Sequence, residues 1–318
     1  MYRRQFLTAS TAAAVLAGTR SLHAATEAGA RPHLLLGARK RLAVVAPDNE
    51  IVWEMPWGSI HDIHLTSRGN ILTRRGKAEV VEIDPRRREI VWSFDGQKRI
   101  DRRIEVHSAE PIDDGKIAIA QSGIPNIIEV DRDKNVVRTI PLTVNSPSTH
   151  SDTRLVRRTP DGGYVVAHEN DGKVRRYAAD GSVAWTYAVP MFGRPAASGH
   201  GPDAFGNRLF SALVDGDGNY WIGTGNGHSV LKVSPDKEIL WQLNQDDLPG
   251  IRLAWVTIAE PHDGTLHIGN CHAGPGQPIA LGVDMATKEV RWKLDGHDRF
   301  GNDVSNWTAV PPDLDWLP

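Results

Sequence analysis

The chain has 318 residues, 37 basic and 39 acidic side chains, a formal charge of −2 and 40% hydrophobic residues. That balance suits one globular domain with a sizeable core, and it carries no electrostatic footprint for nucleic acid or an anionic membrane surface. The single cysteine, Cys271, excludes an internal disulfide framework.

The first segment in chain order is 1–24. Tyr2-Arg3-Arg4-Gln5-Phe6-Leu7 places paired arginines before two apolar residues, an Ala-rich run follows at 9–18, and Ser21-Leu22-His23-Ala24 offers a small-residue cleavage point. This resembles a bacterial twin-arginine (Tat) signal peptide and implies export, after folding, to the periplasm or beyond. The apolar run is too short to span a bilayer. No cysteine stands at its end, so no lipid is expected there. The predicted domain is 25–318, without a membrane anchor.

The first hairpin follows at 42–53, LAVVAPDNEIVW. Apolar residues alternate on both sides of a polar turn, the period of a pleated strand. The phrase recurs at 80–94, 127–139, 174–185, 230–241 and 280–292. The first strand ends on Val45, Ile83, Val130, Tyr177, Val233 or Val283. A β-branched residue (Ile51, Ile90, Val136, Val183, Ile239, Val290) precedes a slot by two positions, and Val136 is expected to pack in the core. The slot holds Trp53, Trp92, Arg138, Trp185, Trp241 and Trp292, at spacings of 39 to 56 residues. Repeats of roughly 40–50 residues, each carrying strand hairpins, describe a β-propeller better than a sandwich, which does not demand one hairpin six times.

Each four-stranded antiparallel blade needs a second hairpin upstream. Five are legible from Gly turns at Gly69, Gly115, Gly162, Gly218 and Gly264. The sixth is split between the chain ends: 32–53 supplies three strands and 304–310 the innermost one. The predicted fold is therefore an all-β, six-bladed propeller closed by pairing of the C-terminal strand with N-terminal strands, which removes free sheet edges.

A strand ending in Asp or a small residue, then a turn, a β-branched residue and Trp resembles the PQQ-like propeller repeat. The His-containing inner strands also look like those of arylsulfotransferase-like propellers. The resemblance implies the fold, not the cofactor. PQQ-dependent alcohol dehydrogenases use a vicinal cysteine pair, absent here, so PQQ is not expected. The repeat is also similar to lipoprotein scaffolds of the outer-membrane assembly type, against which the missing lipidation cysteine counts.

Up-and-down connectivity sorts the loops by face, and nine of the histidines after the signal segment fall on one face, the top. Counting back eight residues from each turn glycine gives His61, His107, Arg154, Phe210 and Val256. Counting forward six gives Arg75, Gln121, His168, Thr224 and Asn270, and forward eight gives Lys77, Gly123, Asn170, Asn226 and His272. The inner strands line the channel, so the first set forms a ring at its mouth and the others a second polar ring outside it.

His107, His61, His150 and Arg154 are the candidate catalytic residues. His168, Asn226, His228, Asn270, His272, Gln121 and Arg75 are the candidate ligand contacts. Arg and protonated His suit a carboxylate or sulfate, and a neutral His is a base or nucleophile. A divalent metal is a second option and would need His61, His107 and His150 from three blades. His61 and His64, three apart in a strand, point to opposite faces and do not chelate together. A third option is a protein-interaction propeller using its rim, with Trp57, Trp255 and Trp307 near the top as anchors. The expected function is binding, extending to turnover, of a carbohydrate or a sulfated or carboxylated compound. As an enzyme it would be a His-dependent transferase or lyase. The alternative is a non-catalytic periplasmic scaffold.

Overall fold

Short alternating apolar runs punctuated by tight turns produce six sheets of four antiparallel strands, arranged as a ring of blades. The computed structural model describes residues 31–317, so the twin-arginine segment lies outside the described residues. Five blades are continuous in sequence, at 63–95, 105–141, 156–188, 211–243 and 255–294, with each chain running from the axis outward. The closing blade joins Trp307–Val310, innermost, to His33–Ala38, Arg41–Val45 and Ile51–Pro56. Leu34 pairs with Ala309 and Leu36 with Trp307. Beyond that strand, the Trp316 indole N–H donates to the Gly69 carbonyl at 3.1 Å, and its ring meets Trp53 edge-on at 5.6 Å. The tail thereby straps the closing blade to the first.

The core lies between blades. Tyr220, Ile222, Leu231 and Val233 of the fourth blade pack on Val165, Val174 and Tyr187 of the third, and the pattern repeats around the ring. Burial of each such side chain contributes roughly 1.5–3 kcal/mol.

The recurring slot has a defined task. In every blade the outermost pair carries a β-bulge between the β-branched residue and the slot. In the first blade Ile83 opposes Ile90 and Glu82 opposes Trp92, leaving Val91 as the extra residue. The bulge aims the slot side chain at the next blade. The indole N–H groups of Trp53, Trp92, Trp185 and Trp241 donate to the carbonyls of Pro85, Arg132, Pro235 and Met285 at 2.8–3.0 Å. Arg138 makes the equivalent bond to the Ala179 carbonyl. An arginine can therefore replace tryptophan there, because the position needs a donor of long reach.

Val136 does not pack in the core. It is 38% exposed, because the outermost strand has no blade beyond it.

Beside the mouth, the buried Asp62 carboxylate gathers donors from four blades. Asp62, just before the first blade's inner strand, accepts bonds from Ser108 Oγ (2.6 Å), both terminal nitrogens of Arg157 (3.0 Å each) and Asn306 Nδ2 (3.1 Å), and lies 3.1 Å from His64 Nε2. These groups come from the second, third and closing blades as well as the first. Burial opposes the charge, but Arg157 and His64 hold the Asp62 carboxyl well below the usual carboxylate range. These bonds fix Asp62, and with it the neighbouring His61.

Candidate functional site

At the mouth, the register positions of four blades converge. The rings of His61 and His107 lie 4.7 Å apart, His107 and His150 5.2 Å, and His61 and His150 6.2 Å. His61 also meets Phe210 at 6.2 Å, and the Arg154 guanidinium sits over Phe210 at 5.5 Å. Val256 instead joins the apolar packing between the fourth and fifth blades.

His107 is itself a bulged residue. Val106 opposes Gln121 and Ser108 opposes Ala120, so His107 is unpaired in the ladder and free to be aimed at the mouth. Glu105 lies two positions before it and is 4% exposed. Its Oε2 is 2.8 Å from His150 Nδ1 and 3.6 Å from His107 Nε2. Its Oε1 accepts from Lys77 Nζ at 2.8 Å and Arg103 Nη2 at 3.1 Å. Burial alone would raise the Glu105 carboxyl, but the bonds from His150 and Lys77 hold it at about 2. Lys77 and Arg103 also line a cavity of about 430 Å³ between the first two blades, with Arg75, Glu79, Asp95 and Gln97.

Arg154, 5% exposed, holds three neighbours at once. Its Nε is ion-paired with buried Glu169, while Nη1 lies 3.2 Å from His107 Nδ1 and Nη2 3.3 Å from His150 Nε2. Arg74 is the second buried cation, and its Nη1 donates to the Val106 carbonyl at 3.1 Å. Burial and the charge of Arg154 lower Arg74 to about 10, which leaves it charged. Burial lowers His61 and His107 well below the ordinary imidazole value, and the charges of Arg74 and Arg154 add to it. Both rings are therefore neutral at neutral pH.

Three buried atoms in this mouth have no hydrogen-bond partner: His61 Nδ1, His107 Nε2 and Arg74 Nε. The structure thus brings together His61, His107, His150 and Arg154, and adds Glu105, Glu169 and Arg74. Glu105, His107 and His150 each offer a metal-ligating atom within 4.8 Å of the others.

The second ring is of a different character. His168 is fully buried between the Asp152 carbonyl and the Tyr177 hydroxyl, each at 3.0 Å, and burial lowers it to about 4. Asn226 Oδ1 accepts from the Arg208 N–H. His228 lies between the carbonyls of Ala254 and Ala204. Asn270 accepts from the Ala254 N–H and donates to the Pro278 carbonyl. These four side chains tie loops to blades. Gln121 is buried beside Gly96. Arg75 points to solvent and pairs with Glu79, and its neighbour Arg74 turns inward. His272 is held at a positive φ of 59°, with Asp303 at 3.4 Å and the His200 and Trp255 rings at 5.3 and 6.2 Å. Trp255 and Trp307 are buried, and Trp57 is half-buried with its N–H on the Arg74 carbonyl.

A family model for PQQ_2, described as outer membrane protein assembly factor BamB, matches residues 38–294. No curated protein matches the sequence. Among solved structures, a protein of unknown function from Bacteroides caccae is 22% identical, covers 86% of this chain and 97% of its own, and superposes with a TM-score of 0.71. A catalytically inactive virginiamycin B lyase from Staphylococcus aureus, solved with quinupristin, is 10% identical over 83% of each chain with a TM-score of 0.55. The WD40 propeller domain of Doa1 is 13% identical over 74% of this chain and 71% of its own, with a TM-score of 0.53. These likenesses speak for the propeller fold, and the family match, which spans most of the described ring, shows that the chain belongs to the PQQ_2 family of outer membrane protein assembly factor BamB.

Proposed function

We propose that the top-face mouth binds a polar small molecule carrying a carboxylate or sulfate, such as a uronate or a sulfated sugar, in the compartment reached by twin-arginine export. One observation carries the reading: the unpartnered His61 Nδ1, His107 Nε2 and Arg74 Nε meet in one buried, cation-rich mouth. Buried polar atoms without partners are uncommon, and each costs about 1–3 kcal/mol. An oxyanion accepting from Arg74 and His107 would satisfy two of them through charge-assisted bonds.

Turnover is the extension of this reading. A neutral His61 can take a proton, and the N–H of His107, 4.7 Å away between ring centres, can hydrogen-bond the negative charge that develops. That pair suits a transferase or lyase. The scaffold reading draws on the family's description as an assembly factor and on the aliphatic side chains of Val91, Val137 and Leu240, exposed on outermost strands.

The deciding measurement is calorimetric titration of the protein with galacturonate, glucose 6-sulfate and neutral glucose. Binding of the anionic sugars, weakened in Arg74→Gln and absent for glucose, is the expected result. Equal indifference to all three would leave the scaffold reading in front.

A further inference from the structure

Glu105, His107 and His150 have the composition and spacing of a metal-binding triad. Arg154 decides against it. Arginine has five N–H donors and no acceptor. Its Nη1 lies 3.2 Å from His107 Nδ1 and its Nη2 3.3 Å from His150 Nε2, so both of those ring nitrogens must accept. The ring protons then sit on the opposite sides, on His107 Nε2 and His150 Nδ1. His150 Nδ1–H accordingly donates to Glu105 Oε2 at 2.8 Å. His107 Nε2–H faces the same oxygen from 3.6 Å, beyond hydrogen-bond reach, and is left over.

A metal held by Glu105 and these two rings would need the same nitrogens bare. The protons would move to His107 Nδ1 and His150 Nε2, where N–H groups would confront the N–H groups of Arg154. A metal-bound histidine normally gives its second N–H to an acceptor, and Arg154 offers none. A dication would also lie beside the guanidinium, itself locked by buried Glu169.

We infer that Arg154 takes the place of a metal ion in this mouth: it sets the tautomers of His107 and His150 and makes the site a donor array selective for oxyanions over divalent cations. Arg154 acts here as a positioning residue and specificity determinant. The inference rests on the mouth being a ligand site, but its test does not depend on finding the ligand.

The test has two parts. Nitrogen-15 NMR of the imidazoles in the free protein should show His107 protonated on Nε2 and His150 on Nδ1, the latter the less common form of a free imidazole. Titration with Co²⁺ alone, followed by visible absorption, should then show binding to Arg154→Gln that is about 10- to 100-fold tighter than to the parent, and lost again when Glu105→Gln is added. The glutamine carbonyl supplies the acceptor that the guanidinium lacks. Where Arg154→Gln leaves buried Glu169 uncompensated and fails to fold, Arg154→Gln with Glu169→Gln removes the pair together. Protons on His107 Nδ1 or His150 Nε2 would overturn the inference. So would a parent protein that binds Co²⁺ through Glu105 as tightly as the variant. Failure of sugar anions to bind the parent would remove the proposed function while leaving these two results to decide this point.

Discussion

At the scale of single residues, the mouth and the core should respond oppositely to truncation. His107→Ala removes a buried ring that packs on His61 and His150 rather than on the apolar core between blades, so the melting temperature should fall less than for a core truncation, while binding of an anionic sugar should weaken by roughly 1–3 kcal/mol. Leu231→Ala, at a fully buried position between the third and fourth blades, should do the reverse, lowering stability by about 2–5 kcal/mol and sparing the site. Calorimetry on both variants checks the pair, and a His107→Ala protein destabilised as much as Leu231→Ala would make the histidine structural. Acid provides a second test. Burial depresses His61, His107 and His168, so the unfolded chain takes up protons near pH 6.5 that the folded chain refuses. Their stabilisation is complete above that pH and is lost progressively as the pH falls below it. For His168 the loss by pH 4 is about 3 kcal/mol. Melting curves between pH 7 and 4.5 should therefore shift steadily downward, and a flat profile would show that the fold accepts these protons. The first ring was legible because the turn glycines share one register. Arg74 escaped a reading fixed on the next position, yet its slot is Ala120, Ala167, Gly223 and Gly269 in the other blades. A large cation where four repeats keep a small residue is a signal in itself. Glu105 was equally within reach, since alternation sets it beside His107. The contacts of His168, Asn226, His228 and Asn270 were not legible, because which carbonyl a buried side chain meets depends on loops that share no repeat.

At the scale of the element, the repeated hairpin and the register of its strands could be read directly, because period-two alternation and turn chemistry are local. The bulge was not, since one extra residue in one strand shows only when the partner strand is in place. Val136 was misplaced for a related reason: alternation gives the face of a strand, not whether another blade covers it. The clasp from slot to carbonyl depends on the bulge. Trp53→Phe keeps an aromatic ring but removes the N–H that donates to Pro85 at 3.0 Å. Chemical denaturation should register a loss of roughly 1–3 kcal/mol. An unchanged midpoint would mean that the indole bond adds nothing beyond packing.

At the scale of the molecule, the ring depends on its seam. Deleting 304–318 removes the strand paired with His33–Ala38 and the Trp316 strap on Gly69, so loss of solubility or of a single cooperative transition is expected. A truncated protein that melts like the parent would show that the seam is dispensable. Export is tested apart from the fold: replacing Arg3 and Arg4 by lysine retains the charge, and the precursor should then remain in the cytoplasm in a fractionation assay. The seam also bears on biosynthesis. Among the described strands, Trp307–Val310 is made last, whereas its partner His33–Ala38 is made first. A nascent chain can hold five finished blades on the ribosome while the inner edge of His33–Ala38, already paired with Arg41–Val45 on its other side, still waits for its partner. Sealing of the ring therefore comes after the other five blades are complete, and until it occurs the protein carries an open edge that a chaperone, or a second unfinished copy, could occupy.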